Sequence, residues 1–343
     1  MRFIIYGSGA IGSVIGGHLF RQGYHVVLVG NAQHVDAINE NGLKLVTGAE
    51  TFMLNVPAVK TAQELAPFTE GDIVLLCAKS QQTVNCLGQL KNAGAPRTMP
   101  VFCFQNSIVN ESVATRMFDK VYGVMVMLPA LFITPGEVVN PILSPYGVIE
   151  MGCYPRGRDP LSEQLAAALN ASGFCANVHP EVMKSKAAKC LINLGNALDA
   201  ITDGKSEGHP YTREARREAM EVWSAAGIEW ESVESLLKRV RSISGKRKNP
   251  VGYEDVANRS SSWQSLARGT GNIEAEQLNG DVVMLGRQLR IATPYNEKLW
   301  LCAEEVAHNG EKPGRYSADE LLSTVRRQLL PAGEERDLRE SIF

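Results

Sequence analysis

The hydrophobic pattern of the chain changes once. Up to about residue 180, short apolar runs alternate with glycine-rich or polar breaks; beyond it, apolar positions recur every three or four residues over long stretches. In the first part "RFIIY" (2–6) predicts a short buried strand. "GSGAIG" then opens a helix to about Phe20, and Gly23 closes that helix ahead of a second strand, "HVVLVG". "DIVLLCAKS" (72–80) and "PVFCFQNS" (100–107) are further strand-like runs, each turning polar at its C-terminal end. "VYGVMVMLPALF" (121–132), "TPGEVVNP" and "GVIEMG" read as later strands joined by a Pro-Gly turn. Leu161 to Gly173 predicts an amphipathic helix and "FCANVHP" a last strand.

From about Glu181 the helical period predicts segments at 181–203, 211–240, 252–270, 272–290 and 294–309. The pattern therefore implies an α/β chain with an N-terminal Rossmann-type dinucleotide-binding domain (1–180), an all-helical C-terminal domain (181–330) and a tail (331–343). The basic stretch "KRVRSISGKRKNP" (238–250) reads as an exposed connection. No internal repeat is evident.

Length agrees with two domains, because single cores stop growing near ~250–300 residues and this chain has 343. A net charge of −2 and 21% charged residues point neither to nucleic acid nor to an anionic membrane. Seven scattered cysteines without a CxxC pair favour a reducing cytoplasm, and six histidines without ligand spacing argue against a bound metal. Glycines at 7, 9, 12, 16 and 17 interrupt the apolar N-terminus, which suits a buried βαβ unit better than a signal peptide.

Gly7, Gly9 and Gly12 fit the GxGxxG fingerprint directly after the first strand. The first glycine makes the tight turn, the second admits a pyrophosphate to the backbone, and the third lets helix and strand pack closely. Gly7, Ser8, Gly9, Ala10, Ile11 and Gly12 are accordingly cofactor candidates. After the second strand stands Asn31, with no acid until Asp36; the missing carboxylate tilts the expectation from NAD toward NADP. Lys79, Gln82 and Asn106 follow later strands at the edge where open α/β sheets place ligands, and join the cofactor set.

In "KCLINLGNAL" (189–198), helical geometry sets Asn193 about 40° to one side of Lys189 and Asn196 about 20° to the other, so that the three form one polar stripe. The stripe has a definite use if it faces a nicotinamide. Hydride transfer to a ketone puts negative charge on oxygen, and Lys189 can both stabilise that charge and supply the proton. The asparagines can orient a substrate without titrating. In "NRSSSWQSLARGTGNIEAEQLNG" (258–280), Ser262 can hydrogen-bond a carboxylate and Glu274 can keep a lysine protonated; the serines also read as a helix cap.

Together, Gly7 to Gly12, Lys79, Asn106, Lys189, Asn193, Ser262 and Glu274 make residues 1–310 resemble the ketopantoate reductase family in the family's order. The resemblance implies a Rossmann domain, a helical domain, an active site in the cleft between them, and NADPH-dependent reduction of 2-dehydropantoate to pantoate in pantothenate synthesis. It implies that Lys189 is the catalytic lysine of a KxxxN helix and that Asn193 binds substrate. By the same resemblance Ser262 holds the substrate carboxylate, Glu274 lies by the lysine and the substrate hydroxyl, Asn106 sits beside the nicotinamide, and Lys79 and Gln82 lie near the adenosine phosphate.

The chain departs from the family in three places. Ser107 replaces the glycine of the QNG motif, Asn31 stands where an arginine is common, and Asn196 follows Asn193 by three residues rather than four. Lys186 is a rival catalytic lysine, although only Lys189 has an asparagine four residues on. The expected partner is a small 2-oxoacid, with a homodimer as candidate assembly. Two alternatives stay open: a dehydrogenase of another hydroxy acid or an opine, and a regulator that senses NADP without turnover.

Overall fold

The computed structural model describes residues 1–202, 206, 208–253, 259–269 and 273–329. The expected tail, 331–343, lies outside the described residues. The first strands and helices are β1 (Arg2–Tyr6), α1 (Ala10–Arg21), β2 (His25–Val29), α2 (Ala32–Asn41), β3 (Leu43–Thr47), β4 (Thr51–Leu54), β5 (Ala58–Val59) and β6 (Asp72–Leu76). They continue with α3 (Thr83–Asn92), β7 (Val101–Cys103), α4 (Asn110–Ala114), β8 (Val121–Met127), β9 (Leu131–Thr134), β10 (Glu137–Asn140), β11 (Val148–Cys153), α5 (Pro160–Ala171) and β12 (Cys175–Val178).

The large sheet has the order β12-β11-β8-β7-β6-β1-β2-β5. Its run from β5 to β8 is parallel, with β1 at the point where the order reverses, as in a doubly wound dinucleotide fold. β11 closes antiparallel on β8, and β12 runs parallel to β11. Because strand side chains alternate, one face presents Phe3, Ile5, Val26, Leu28 and Leu75 to α1 and α5, while the other presents Ile4, Tyr6, Val27 and Val74 to α3. Both faces are thus buried, which is why these strands read as unbroken apolar runs.

A second sheet, β4-β3-β10-β9, joins two hairpins through parallel β3 and β10. Strands β3 and β4 were not among the expected elements.

The remaining helices are α6 (Val182–Asn193), α7 (Asn196–Ile201), α8 (Pro210–Ala225), α9 (Val233–Ile243), α10 (Ser261–Ala267), α11 (Asp281–Leu289), α12 (Pro294–His308) and α13 (Ala318–Leu329). Four expectations need correction here, the first being the helix at 252–270, which among its described residues is helical only over α10. The single helix at 181–203 is two, broken at Leu194 and Gly195. The helix at 211–240 is also two, separated at 226–232. The helix at 272–290 begins, within its described part, as a π-helical turn, Glu276–Gly280, before α11. α13 was not expected at all.

The chain divides into two compact units, Met1–Cys190 with Trp230–Asn258, and Leu191–Glu229 with Arg259–Phe343. The division differs from 1–180 and 181–330: its first boundary falls inside α6, and 230–258 returns to the sheet unit. That return is chemically specific. Arg239 of α9 forks onto buried Glu150 of β11 at 2.8 and 3.0 Å and onto Glu231 at 2.7 Å. Bonds to Glu231 and then Glu150 raise the guanidinium pKa further above its already high value. Lys238, Arg241, Lys246, Arg247 and Lys248 of the basic stretch are exposed, yet its backbone is docked: Leu143 N–H donates to Lys246 O at 2.9 Å and Lys248 N–H to Pro141 O at 3.0 Å. It is therefore an edge of the first unit more than a connection.

In the second unit the core is formed by Leu198, Ile201, Tyr211, Leu299, Val306, Leu322 and their neighbours, and all regular elements among the described residues are helical. No described helix is long and apolar enough to cross a membrane.

Candidate active site

The glycine turn connects β1 to α1. Gly7 has φ +107°, and a β-carbon there would collide with the backbone of Ala78, where β6 ends beside β1. At Gly12 a β-carbon would overlap the carbonyl of Gly7, so no side chain lets helix and turn approach this closely. Gly9 is different. A β-carbon on it would meet no protein atom within 4 Å, so nothing inside the protein requires glycine at that exposed position. Gly9 leaves open the start of α1, where no side chain caps the helix and the N–H groups of Ala10, Ile11 and Gly12 have no intrahelical acceptor, so that an anion can approach the backbone there. The turn fits a dinucleotide pyrophosphate.

Buried contacts hold the turn from behind. Gly136 N–H donates to His34 Nδ1 at 2.8 Å, which leaves the ring proton on Nε2 for Ser13 Oγ at 3.1 Å; Ser13 Oγ in turn donates to Ser8 O at 2.8 Å. Burial pushes the His34 pKa down to about 4, so the relay is built for a neutral ring. Asn31 caps α2 by accepting from His34 N–H at 2.9 Å, and Asp36 pairs with Lys60 at 2.6 Å.

At the same edge of the sheet, Lys79 stands at the start of a short 3-10 helix, Ser80–Gln82, with Gln82 exposed. Asn106 lies just beyond β7 and is fixed by its backbone: Ser80 Oγ and Asn110 Nδ2 donate to Asn106 O at 3.0 and 2.7 Å. Thr83 links the supports, donating to Asn110 Oδ1 and accepting from Gln105 Nε2, each at 2.7 Å. Ser107 adopts φ +68°, a left-handed geometry that favours glycine. With its backbone pinned, Asn106 presents Oδ1 to Lys189 Nζ at 2.8 Å. Lys189 is half-buried on α6. Lys186, the rival, is 2% exposed and donates to Cys103 O at 3.0 Å and to the buried Glu111 carboxylate.

In the second unit Asn193 ends α6, one turn beyond Lys189, and Asn196 begins α7. The single polar stripe through Asn196 does not hold, because the helix stops between the two asparagines. Its last carbonyls are captured from elsewhere: Arg216 donates to Leu191 O at 2.9 Å and Ile192 O at 3.3 Å, and Asn279 donates to Leu194 O at 3.2 Å. Asn279 also donates to Asn296 Oδ1 at 2.9 Å, and Asn296 to Glu218 Oε2 at 2.8 Å. Glu218 accepts the Tyr295 and Asn296 N–H groups at the start of α12, each at 2.9 Å; burial raises its pKa while those bonds lower it.

Ser260, not Ser262, caps α10, accepting from Trp263 N–H at 3.2 Å and donating to Asn196 O at 3.4 Å. Ser262 is 4% exposed on the first turn of α10, and Glu274 is 8% exposed just before the π-helical turn. Two positions from Ser262 and one chain contact from Asn196, the Ser260 cap ties α10 to the start of α7.

The model of the ketopantoate reductase family PanE/ApbA matches residues 3–156, and the model of that family's C-terminal part matches residues 181–307. The chain belongs to the ketopantoate reductase family. It is 26% identical to the 2-dehydropantoate 2-reductase of Pyrococcus horikoshii over 91% of this chain and 100% of the relative. It is 29% identical to that of Halobacterium salinarum over 86% of this chain and 95% of the relative. A PanE/ApbA family ketopantoate reductase of Ralstonia eutropha is similar in structure, with TM-score 0.72 and 26% identity over 90% of this chain and 99% of the other. D-mandelate dehydrogenase, solved with NADH and anilino(oxo)acetate, shares the fold at TM-score 0.73 and 22% identity over 90% and 99% of the two chains.

As a ketopantoate reductase family member the chain is an oxidoreductase with a nicotinamide dinucleotide cofactor. The first unit brings Lys189 to Asn106 and sets the glycine turn beside Ala78, next to Lys79. Sequence reasoning missed Ser80, Thr83 and Asn110, which hold Asn106, and Arg216, Asn279, Glu218 and Asn296, which hold the helix break. Asn110 carried one weak signal, its four-residue spacing from Asn106. Arg216 carried none.

Proposed function

We propose that the protein reduces the ketone of 2-dehydropantoate to give pantoate, with NADPH as the hydride source. The observation that carries this reading is the 2.8 Å bond from Lys189 Nζ to Asn106 Oδ1 at the ligand-binding edge of a dinucleotide sheet. An ammonium has three donors, and Asn106 takes one of them, which fixes the direction in which the charge is presented. Lys189 then stabilises the negative charge that develops on the ketone oxygen and gives up its proton there.

The bound nicotinamide supplies the hydride. The start of α1 holds the pyrophosphate through the N–H groups of Ala10, Ile11 and Gly12, and Lys79 and Gln82 serve the adenosine phosphate. Among the residues of the second unit, Asn193 and Asn196 are assigned the hydroxyl end of the substrate, Ser262 its carboxylate, and Glu274 an acidic part in the reaction. The NADPH preference is supported by neutral Asn31 after β2 and by the engagement of Asp36 with Lys60, which leaves the position after β2 without a carboxylate for a ribose 2′-OH. Seven free thiols are in keeping with work in the cytoplasm. The names of the curated relatives and the NADH bound to the mandelate dehydrogenase agree with this reading.

The test is NADPH and NADH oxidation with ketopantoate against a panel of other 2-oxoacids, with and without an amino acid. Fastest turnover with ketopantoate and NADPH is expected. Preference for another oxoacid or an amino-acid pair replaces the substrate, and cofactor binding without oxidation of NADPH by any 2-oxoacid removes the enzyme reading.

A further inference from the structure

Lys186 and Glu111 form a buried charge pair that the proposed chemistry does not use. Lys186 is 2% exposed and Glu111 is fully buried. Such a pair is an expensive way to fill a core: each ion loses several kcal/mol of hydration, and well-packed apolar residues of similar volume are often as stable or more so. Glu111 is not even fully satisfied, since its Oε2 is buried without a hydrogen-bond partner. Stability alone gives no reason for the pair.

Its position does. Lys186 Nζ donates to Cys103 O, at the end of β7, and to Glu111, in the first turn of α4. The loop between those two points, 104–109, carries Asn106. One ammonium therefore ties both ends of this loop to α6. On a helix Lys186 lies three residues, or about 4.5 Å and 60° of rotation, from Lys189. A rotation or slide of α6 that would carry Lys189 away from Asn106 must also pull Lys186 out of a low-dielectric pair, where an uncompensated charge costs most.

We propose that Lys186 and Glu111 are positioning residues, a buried tether that sets the register of α6 against the Asn106 loop and so holds Lys189 in line with the ketone. The role of the tether in turnover rests on the function proposed above, whereas its hold on Lys189 does not.

Removing one partner would strand a buried charge and risk unfolding, so the informative variant is the double replacement Lys186→Met/Glu111→Leu, which takes both charges out together. In the full-length protein, melting temperature and NADPH affinity, read by cofactor fluorescence, should stay close to those of the unaltered chain. Turnover with ketopantoate should fall about 10–100-fold, with KM little changed, as expected when a reacting group is misplaced by about 1 Å. Carbamylation of Lys189 by cyanate, followed by peptide mass spectrometry, should become several-fold faster. Adding Asn106→Ala should cost far less turnover in the double variant than in the unaltered chain, because the two changes break one arrangement. Turnover within twofold of the unaltered chain, or an unchanged Lys189 labelling rate, overturns the tether. If the unaltered protein reduces no 2-oxoacid, the proposed function fails, and the labelling rate alone decides the tether.

Discussion

The surroundings of Asn106 and the break between α6 and α7 both hold asparagine-bearing segments in place, but they do so by opposite means. Around Asn106 the support is largely local: Ser80, Thr83, Gln105 and Asn110 come from the two strand ends that also bear Lys79 and Asn106. At the helix break the support is remote, coming from Arg216, Asn279, Asn296 and Glu218, up to 85 residues away in the chain. A local scaffold can be read from neighbouring letters. A remote one depends on where three other helices lie.

The contrast predicts different failures. Lys189→Ala, at the first place, should lower turnover by roughly 10²–10⁴-fold, the span of a lost acid catalyst, while NADPH still binds; near-normal turnover in a steady-state assay would count against the lysine. Acid should also separate the two units. Burial holds His34 at a pKa of about 4 and His18 at about 3, both below the unfolded value near 6.5. The unfolded chain then binds protons more readily, so the stability these rings contribute is complete above about pH 6.5 and is lost as pH falls toward 4 and 3. The loss is on the order of 3 kcal/mol for His34 and on the order of 5 kcal/mol for His18. Glu218 in the second unit has a raised pKa and so the opposite sign: its contribution is fullest at low pH and declines as pH rises through its raised folded value. Hydrogen exchange corrected for intrinsic rates should show protection lost first in β1 and β2 on acidification, with α8 and α12 holding longer; uniform loss would contradict this.

Smaller effects refine the comparison. Asn279→Ala should raise KM for ketopantoate about tenfold with kcat less affected, and cost about 1–3 kcal/mol in a urea melt, because Leu194 O and Asn296 lose a buried donor. A loss confined to kcat would mean that the break serves the chemistry and not the substrate. Ser107→Gly should stabilise the protein by up to about 1 kcal/mol, since glycine adopts the observed φ of +68° without the β-carbon penalty. A lower melting temperature would show that the Ser107 hydroxyl matters more than its backbone.

Much of the first unit was legible because its signals are short-range. The apolar runs of β1, β2 and β6, the three glycines, and the polar residues at strand ends all follow from period and position. β3 and β4 were missed because β4 is half exposed and its alternation, Thr51 to Leu54, is too short to stand out. The break in α6 was missed because the helical period runs straight through "INLGNAL" and one glycine costs a helix only about 1 kcal/mol; the decisive event is the capture of carbonyls by Arg216 and Asn279. Segment 230–258 was assigned to the helical half because its amphipathic pattern says that α9 needs a partner without saying which; Arg239 with Glu150 ties α9 to the sheet.

The return of residues 230–258 also limits how this protein can be cut and recombined. Neither unit is one continuous length of chain, so no single scissor point separates them. A fragment ending at residue 190 would keep β11 but leave Glu150, only 3% exposed, without its guanidinium. Grafting a different helical unit onto this sheet would therefore take two junctions more than a simple tail-swap, with Trp230–Asn258 carried over as part of the recipient.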